Sequence, residues 1–234
     1  IPYKNTVPNY SGDFKSCQRA FREELTKSVA LRLQADVEVG TYTSGGVDSS
    51  VVNVAAHQDL KHAQTQTFSV AFEDAVFDES PFQRMMAEKL NLTSNEVRCK
   101  YSDIYGNIAD VIRHTESPIF RTAPVPMYLL SKCVSDKGVK VVLTGEGADE
   151  VAWGYDIFRE AKIRRFWSRQ PDSKMRPQLF KQLYAYLPQF QDERHFQLLI
   201  DFFKQDMHLT EAPLYSHHMR IANAKPMRSF LSGD

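Results

Sequence analysis

The run Val37-Glu38-Val39-Gly40-Thr41-Tyr42-Thr43-Ser44-Gly45-Gly46-Val47-Asp48-Ser49-Ser50 decides the fold. Its first half, Val37 to Thr43, is rich in β-branched residues and bounded by charge on one side and glycine on the other, which predicts a strand. Its second half predicts a phosphate-gripping turn. Two adjacent glycines allow positive φ and let the backbone approach a ligand with no Cβ in the way, while Ser44, Ser49 and Ser50 supply hydroxyl donors. Val51, Val52, Val54, Ala55 and Ala56 continue as a buried helix; if Ser49 and Ser50 open it, its unpaired N–H groups and dipole add to the attraction for an anion. Asp48 places a carboxylate beside the expected phosphates. The two repel unless a divalent cation such as Mg²⁺ lies between them, so the motif predicts a metal together with a nucleotide.

Elements on either side of this run set the class. Asp13 is an expected N-cap, and Phe14, Cys17, Phe21, Leu25, Val29 and Leu33 recur at three to four residues, predicting a helix to about Gln34 whose apolar stripe lies on a sheet. Thr67 to Phe72 predicts a second strand, Asp78 to Leu90 a helix, Glu96 to Cys99 a weaker third strand. Helices follow over Ile104 to Thr115 and Val125 to Asp136, then a fourth strand over Lys140 to Leu143. Alternating β and α elements imply an α/β fold, a parallel sheet with helices on both faces that binds ligands at the carboxyl ends of its strands. After Tyr155 the pattern is helical only: Ile157 to Ser168, Arg176 to Leu187 and Glu193 to Lys204. The aromatic residues there (Phe166, Trp167, Phe180, Tyr184, Phe196, Phe202, Phe203) are expected to pack as a core in preference to forming a partner surface. The expected organisation is a linker over 1–12, an α/β domain over 13–160 and a helical extension of it over 161–234.

Totals exclude several classes. Lys plus Arg and Asp plus Glu both number 29, so the global charge gives no reason to expect nucleic acid or an anionic membrane as partner. The sequence contains no apolar run of about 18 residues. Three widely spaced cysteines, Cys17, Cys99 and Cys133, point to a reducing, cytosolic compartment and structural thiols. The start at Ile1 and the finish at Ser232-Gly233-Asp234 suggest a piece of a longer protein.

A second loop, Thr144-Gly145-Glu146-Gly147-Ala148-Asp149-Glu150, follows the fourth strand. Three carboxylates within five residues are costly to desolvate together, so they call for a cation or for solvent. A solvated turn and a calcium-like site compete with a catalytic role for this loop alone, and a plain turn competes for Ser-Gly-Gly alone. Their placement at strand ends favours the catalytic reading. If Asp48 and Asp149 meet across adjacent strand ends, two hard oxygen ligands plus nucleotide phosphates complete a magnesium site, leaving Glu146 for proton transfer or for orienting a second substrate. Neither loop carries the Gly-Lys-Ser/Thr ending that grips β and γ phosphates, which argues against γ-phosphoryl transfer.

These residues carry a resemblance. Ser44 to Ser50 resembles the pyrophosphate loop of ATP pyrophosphatases, and Gly145-Glu146-Gly147-Ala148-Asp149-Glu150 with Gly154-Tyr155 resembles the more specific second signature of the asparagine synthetase family. Further similarity runs through Arg32 to Val37, Phe68 to Phe72 and Pro126 to Leu130, covering about residues 13 to 160. The resemblance implies an adenine nucleotide α-hydrolase-like fold. It also implies an enzyme that adenylates a carboxylate, the aspartate side chain first, releases pyrophosphate, and lets ammonia from a glutaminase domain or chain attack to give an amide. ATP and Mg²⁺ are the implied cofactors. Ser44, Gly45, Gly46, Ser49, Ser50, Thr144 and Gly145 would line the nucleotide, adenine would lie on the Tyr42 and Val70 strand ends, Asp48 and Asp149 would hold the metal, and Glu146 would accept a proton from ammonia.

Departures qualify the substrate. Val47 replaces the usual leucine, and Val151-Ala152-Trp153-Gly154-Tyr155 stands where the family more often has Leu-Phe-Gly-Gly-Tyr. Nothing here corresponds to the family's N-terminal glutaminase domain with its cysteine nucleophile, and Cys17 falls inside a helix. For the family's late catalytic lysine, Lys225 competes with an ordinary surface role. Adjacent His217 and His218 point in different directions and lack a carboxylate spacing for a metal. The alternatives are a specialised ligase of β-lactam-forming or peptide-cyclising type, and an inactive nucleotide-binding module.

Overall fold

The computed structural model describes residues 11–60 and 66–228. The expected linker over 1–12 falls almost entirely outside the described residues. The chain divides after Glu146 into two compact units, and the α/β elements lie in the first.

Helix α1 (Phe14–Arg32) begins where Asp13 accepts a hydrogen bond from the Ser16 amide at 2.8 Å, which satisfies one of the unpaired first-turn donors. Strand β1 (Val39–Tyr42) leads through the Ser44 turn into α2 (Val47–Val54), whose last turn widens into a π-helical turn over Ala55–Asp59. Then come β2 (Gln66–Phe72), α3 (Ser80–Leu90), β3 (Thr93–Cys99), α4 (Tyr101–Thr115), α5 (Pro124–Asp136) and β4 (Val141–Leu143). The four strands form one parallel sheet in the order β3-β2-β1-β4. Thr41 stands opposite Leu143 on one side and Thr67 on the other, so β1 is central and the loops after β1 and β4 leave neighbouring strand ends.

Several strand and helix limits, and the packing of one helix, differ from expectation. β3 runs from Thr93 in place of Glu96, because its whole length pairs in register with Gln66–Phe72 and the ladder overrides the polar Thr93-Ser94-Asn95 sequence. α4 starts at Tyr101, where Asp103 accepts from the Lys100 amide at 2.8 Å. The stripe of α1 does not lie on the sheet along its length: Val29 is buried with Ala55 and Ala56, whereas Phe14 and Phe21 are exposed, because α2 and its π turn take the place beside the strands.

Sheet packing uses Phe68, Leu130, Val134 and Val139, with Tyr42, Val70 and Val142 partly buried against them. Each such side chain contributes about 1.5–3 kcal/mol when fully buried.

The second unit is helical throughout: α6 (Ala148–Ala152), α7 (Asp156–Ser168), a 3₁₀ turn (Arg176–Gln178), α8 (Leu179–Leu183), α9 (Pro188–Gln191), α10 (Glu193–Lys204) and α11 (His218–Arg228). The single helix expected over Arg176–Leu187 is broken: Pro177 falls in the 3₁₀ turn and Tyr184 leaves helical geometry, with Pro188 opening the next short helix. The aromatic residues pack as a core, with Trp167, Phe180, Tyr184, Phe190, Phe196 and Phe203 buried together. Phe180 and Phe203 stack at 4.1 Å, a pair worth about 0.5–1.5 kcal/mol beyond its burial. Phe166 is the exception, half exposed under the Arg176 guanidinium at 4.2 Å.

Among the described residues of this unit, Arg164 and Glu160 are buried charges and both are answered. Arg164 donates to the carbonyls of Phe203 (3.0 Å), Tyr215 (3.2 Å) and Gln205 (2.7 Å), supplying donors where α10 ends. Burial pulls its pKa down from the ordinary value, and the nearby Tyr215 and Glu160 oppose that. Glu160 accepts two bonds from Arg220 (2.7 and 2.8 Å) and one from the Tyr184 hydroxyl. Leaving either buried charge without its partners would cost about 3–5 kcal/mol. Among the described residues, no helix is long and apolar enough to cross a membrane.

Candidate functional site

The Ser44 turn is shaped from within. Gly45 has φ +85°, a conformation that L side chains rarely adopt, and a Cβ there would meet Glu79 Cβ at 3.0 Å and its carbonyl at 3.2 Å. Ser44 Oγ accepts from the Gly46 amide (3.2 Å) and pairs with Ser49 Oγ (2.9 Å), which also accepts from the Ser44 amide (3.1 Å). Ser49 and Ser50 hydroxyls donate to the Gly46 carbonyl at 3.3 and 2.8 Å. The three hydroxyls thus fix the turn itself, and Gly46 begins α2 with no side-chain cap. First-turn amides of a helix have no partner within it, so Val47, Asp48 and Ser49 present donors and the positive end of the dipole at this point.

A buried polar network carries the turn. Asn53, fully buried in α2, donates to the carbonyls of Ser49 (2.8 Å) and Tyr42 (3.2 Å) and to Thr43 Oγ1 (3.2 Å), and accepts from Thr41 Oγ1 at 2.6 Å. Thr43 and Thr67 hydroxyls bond at 2.5 Å, linking β1 to β2. From the other side, Gln83 of α3 donates to the carbonyls of Val70 (3.0 Å) and Ser44 (3.4 Å). Sequence reasoning missed both carboxamides. Asn53 is signalled as the polar residue inside the apolar run Val51–Ala56, and Gln83 by its place in the buried series Ser80, Gln83, Ala87 on one face of α3.

The two loops meet, as their strand positions require. A Cβ on Gly145 would fall 2.6 Å from the Ser49 nitrogen and 2.8 Å from the Asp48 carbonyl carbon, so only glycine lets the β4 loop lie against the start of α2. Thr144 Oγ1 accepts from the Glu146 amide at 3.3 Å, and Glu146 is exposed. Within the second unit, Gly147 has φ +90° and opens α6, while Gly154 donates to the Asp149 carbonyl at 3.0 Å. A Cβ on Gly154 would overlap Asp149 Oδ1 at 1.8 Å, so the glycine makes the space in which that carboxylate sits. Tyr155 donates to Glu150 Oε1 at 3.1 Å.

Other expected site residues are placed as follows. Tyr42 ends β1 with its ring in the sheet core and its hydroxyl 3.4 Å from Ser131 Oγ; Val70 lies on β2 past the point where β1 stops pairing. Asp48 is half-buried in the first turn of α2. Among the described residues, no three His, Cys, Asp or Glu side chains are arranged to hold a metal ion. The expected Mg²⁺ therefore has no three-ligand protein cage. Asp48 belongs to the first unit and Asp149 to the second, and each is a hard oxygen donor of the kind that Mg²⁺ takes beside substrate phosphates.

Fold and loops together define a class: a parallel α/β protein in which a glycine-serine turn enters a helix start and a second glycine loop closes on it from the neighbouring strand. The family model for asparagine synthase matches residues 20–232, and the chain belongs to the asparagine synthase family. It is 32% identical over 150 residues to asparagine synthetase [glutamine-hydrolyzing] 1 of Bacillus subtilis, covering 64% of this chain and 23% of that protein. It is 30% identical over 184 residues to asparagine synthetase [glutamine-hydrolyzing] 2 of Arabidopsis thaliana (74% and 31%), and 33% identical over 172 residues to amidase chyE of Penicillium rubens (68% and 26%). The chain thus spans less than a third of the length of these curated relatives.

Proposed function

We propose that this chain is the ATP-using synthetase part of an amide-forming ligase of asparagine synthetase type, adenylating a carboxylate and passing the acyl group to ammonia. The observation that carries this is the contact of Gly145 with Asp48 and Ser49, which sets the end of β4 against the phosphate turn. Helix-start amides of α2 bind the departing pyrophosphate, whose charge develops at that point. Tyr42 and Val70 strand ends hold adenine, and Thr144 and Gly145 border the nucleotide. Asp48 and Asp149 are the carboxylates proposed for Mg²⁺, which when bound neutralises phosphate charge. Exposed Glu146 accepts the proton that ammonia loses as it attacks the acyl adenylate.

Aspartate is the proposed acyl substrate and asparagine the product, with glutamine-derived ammonia delivered by a glutaminase domain or chain. Neither nucleic acid nor membrane is a proposed partner. Cys17, Cys99 and Cys133 are free thiols, which fits the proposed cytosolic location. The test is amide formation from ATP, Mg²⁺ and ammonia across a carboxylate panel. Aspartate-dependent asparagine supports the reading, turnover only with other acids selects a specialised β-lactam-forming or peptide-cyclising ligase, and tight ATP binding without turnover selects an inactive module.

A further inference from the structure

Gln83 has an arrangement that the packing of α3 does not explain. It is 5% exposed, and its Nε2 is shared between the carbonyl oxygens of Val70 (3.0 Å) and Ser44 (3.4 Å). Its Oε1 is closed off from solvent and has no hydrogen-bond partner among the described residues. Turning the amide over does not help, because Oε1 would then face two carbonyl oxygens and Nε2 would lose both acceptors. A buried acceptor without a partner costs stability, and Met or Leu of similar volume would avoid that cost. The side chain therefore carries an uncompensated acceptor while joining two particular points.

Those points are the two halves of the proposed nucleotide site. Ser44 begins the phosphate turn, and Val70 lies on the strand end proposed for the base. β1 and β2 no longer pair there: their last ladder bond is from the Thr43 amide to the Phe68 carbonyl at 2.9 Å. Beyond it, Gln83 spans from the turn to β2. Asn53 differs, since all its polar atoms are satisfied and it joins the turn to β1 and α2 alone.

We propose that Gln83 is a positioning residue for ATP, its amide fixing the separation between the phosphate turn and the β2 edge that receives the base. This rests on the nucleotide reading above. Q83M in the full chain removes the donor and the unpaired acceptor together. Losing the unpaired acceptor and leaving the Val70 and Ser44 carbonyls without the Gln83 donor act in opposite directions, so the expected melting temperature stays close to that of wild type, while the ATP·Mg²⁺ dissociation constant rises about tenfold, the worth of one to two hydrogen bonds. Affinities for pyrophosphate alone and adenosine alone should stay within about twofold, because each fragment uses one half of the site. In ATP–pyrophosphate exchange KM for ATP rises while kcat holds. Q83L repeats the measurement with a second apolar shape.

Wild-type ATP affinity in folded Q83M and Q83L overturns the proposal. So does a lowered melting temperature with ATP, pyrophosphate and adenosine weakened alike, which marks a merely structural side chain. Failure of wild type itself to bind ATP overturns the nucleotide reading, and this proposal with it; the wild-type titration alone distinguishes that case.

Discussion

Gly145→Ala tests the junction of the two loops. The added methyl would stand 2.6 Å from the Ser49 nitrogen, 2.8 Å from the Asp48 carbonyl carbon and 3.0 Å from Asp48 Cβ, and two of these are backbone atoms of the α2 start. Ordinary contact begins at 3.4 Å, so loop and helix must part by roughly 0.8 Å. Overpacking of this kind costs about 1–3 kcal/mol, or roughly 2–10 °C in melting temperature for a chain of this size. A misplacement near 1 Å in a reacting constellation costs about 10²-fold in rate. The control is Gly147→Ala, where φ is +90° but no atom lies within 4 Å of the new Cβ, so only backbone strain of about 1–2 kcal/mol is added. ATP–pyrophosphate exchange and thermal melting are measured on both. The expected result is comparable melting with exchange about 10²-fold lower in Gly145→Ala alone. Exchange within about twofold of wild type in a folded Gly145→Ala, or equal losses in the two variants, would refute the reasoning.

Further outcomes follow from the same geometry. Glu146→Gln should retain ATP–pyrophosphate exchange and lose amide formation by about 10²–10⁴-fold, the ordinary worth of a general base; equal loss of both steps removes Glu146 from that role. Gly154→Ala must displace the Asp149 carboxylate, whose Oδ1 would lie 1.8 Å from the new Cβ, so adding Asp149→Asn to it should lower exchange little further. Tyr184 has its pKa pushed up, first by burial and then by its bond to Glu160. The folded form therefore holds the phenol proton more tightly than the unfolded form does. That contribution is complete below about pH 10, the unfolded value, and is lost as pH rises beyond it. Urea unfolding of wild type should weaken above pH 10, and Tyr184→Phe should flatten that slope while costing about 1.5–3 kcal/mol at neutral pH.

Local chemistry made much of this legible. β-branched Val37–Thr43 running into Ser-Gly-Gly identified the central strand and its turn, because strand propensity and the need for positive φ act on neighbouring residues. The acidic loop at 146–150 was equally plain, whereas the adjacency of β1 and β4 stood only as a condition, because a parallel sheet admits several strand orders and the pairing of Val39–Thr41 with Val141–Leu143 decides between them. The start of β3 at Thr93 was not readable, since a ladder to β2 holds the polar Ser94 and Asn95, which carry no apolar alternation to mark a strand. Nor was the outward lie of Phe14 and Phe21, because helical periodicity reports an apolar stripe and not what covers it. Asn53 and Gln83 escaped notice for a related reason. Their roles consist of hydrogen bonds to backbone carbonyls of other elements, and a side-chain pattern carries no record of those. Asp149 was chosen for its charge, yet the space it occupies is set by Gly154, five residues on, and only coordinates show that.

The central claim is that these loops break ATP between its α and β phosphates on a carboxylate. The direct measurement is product analysis of ATP consumed with Mg²⁺, aspartate and ammonia. The account predicts AMP and pyrophosphate in equal amounts, formed only when the carboxylate is present and matched by the amide produced; ADP and inorganic phosphate as the products would contradict it.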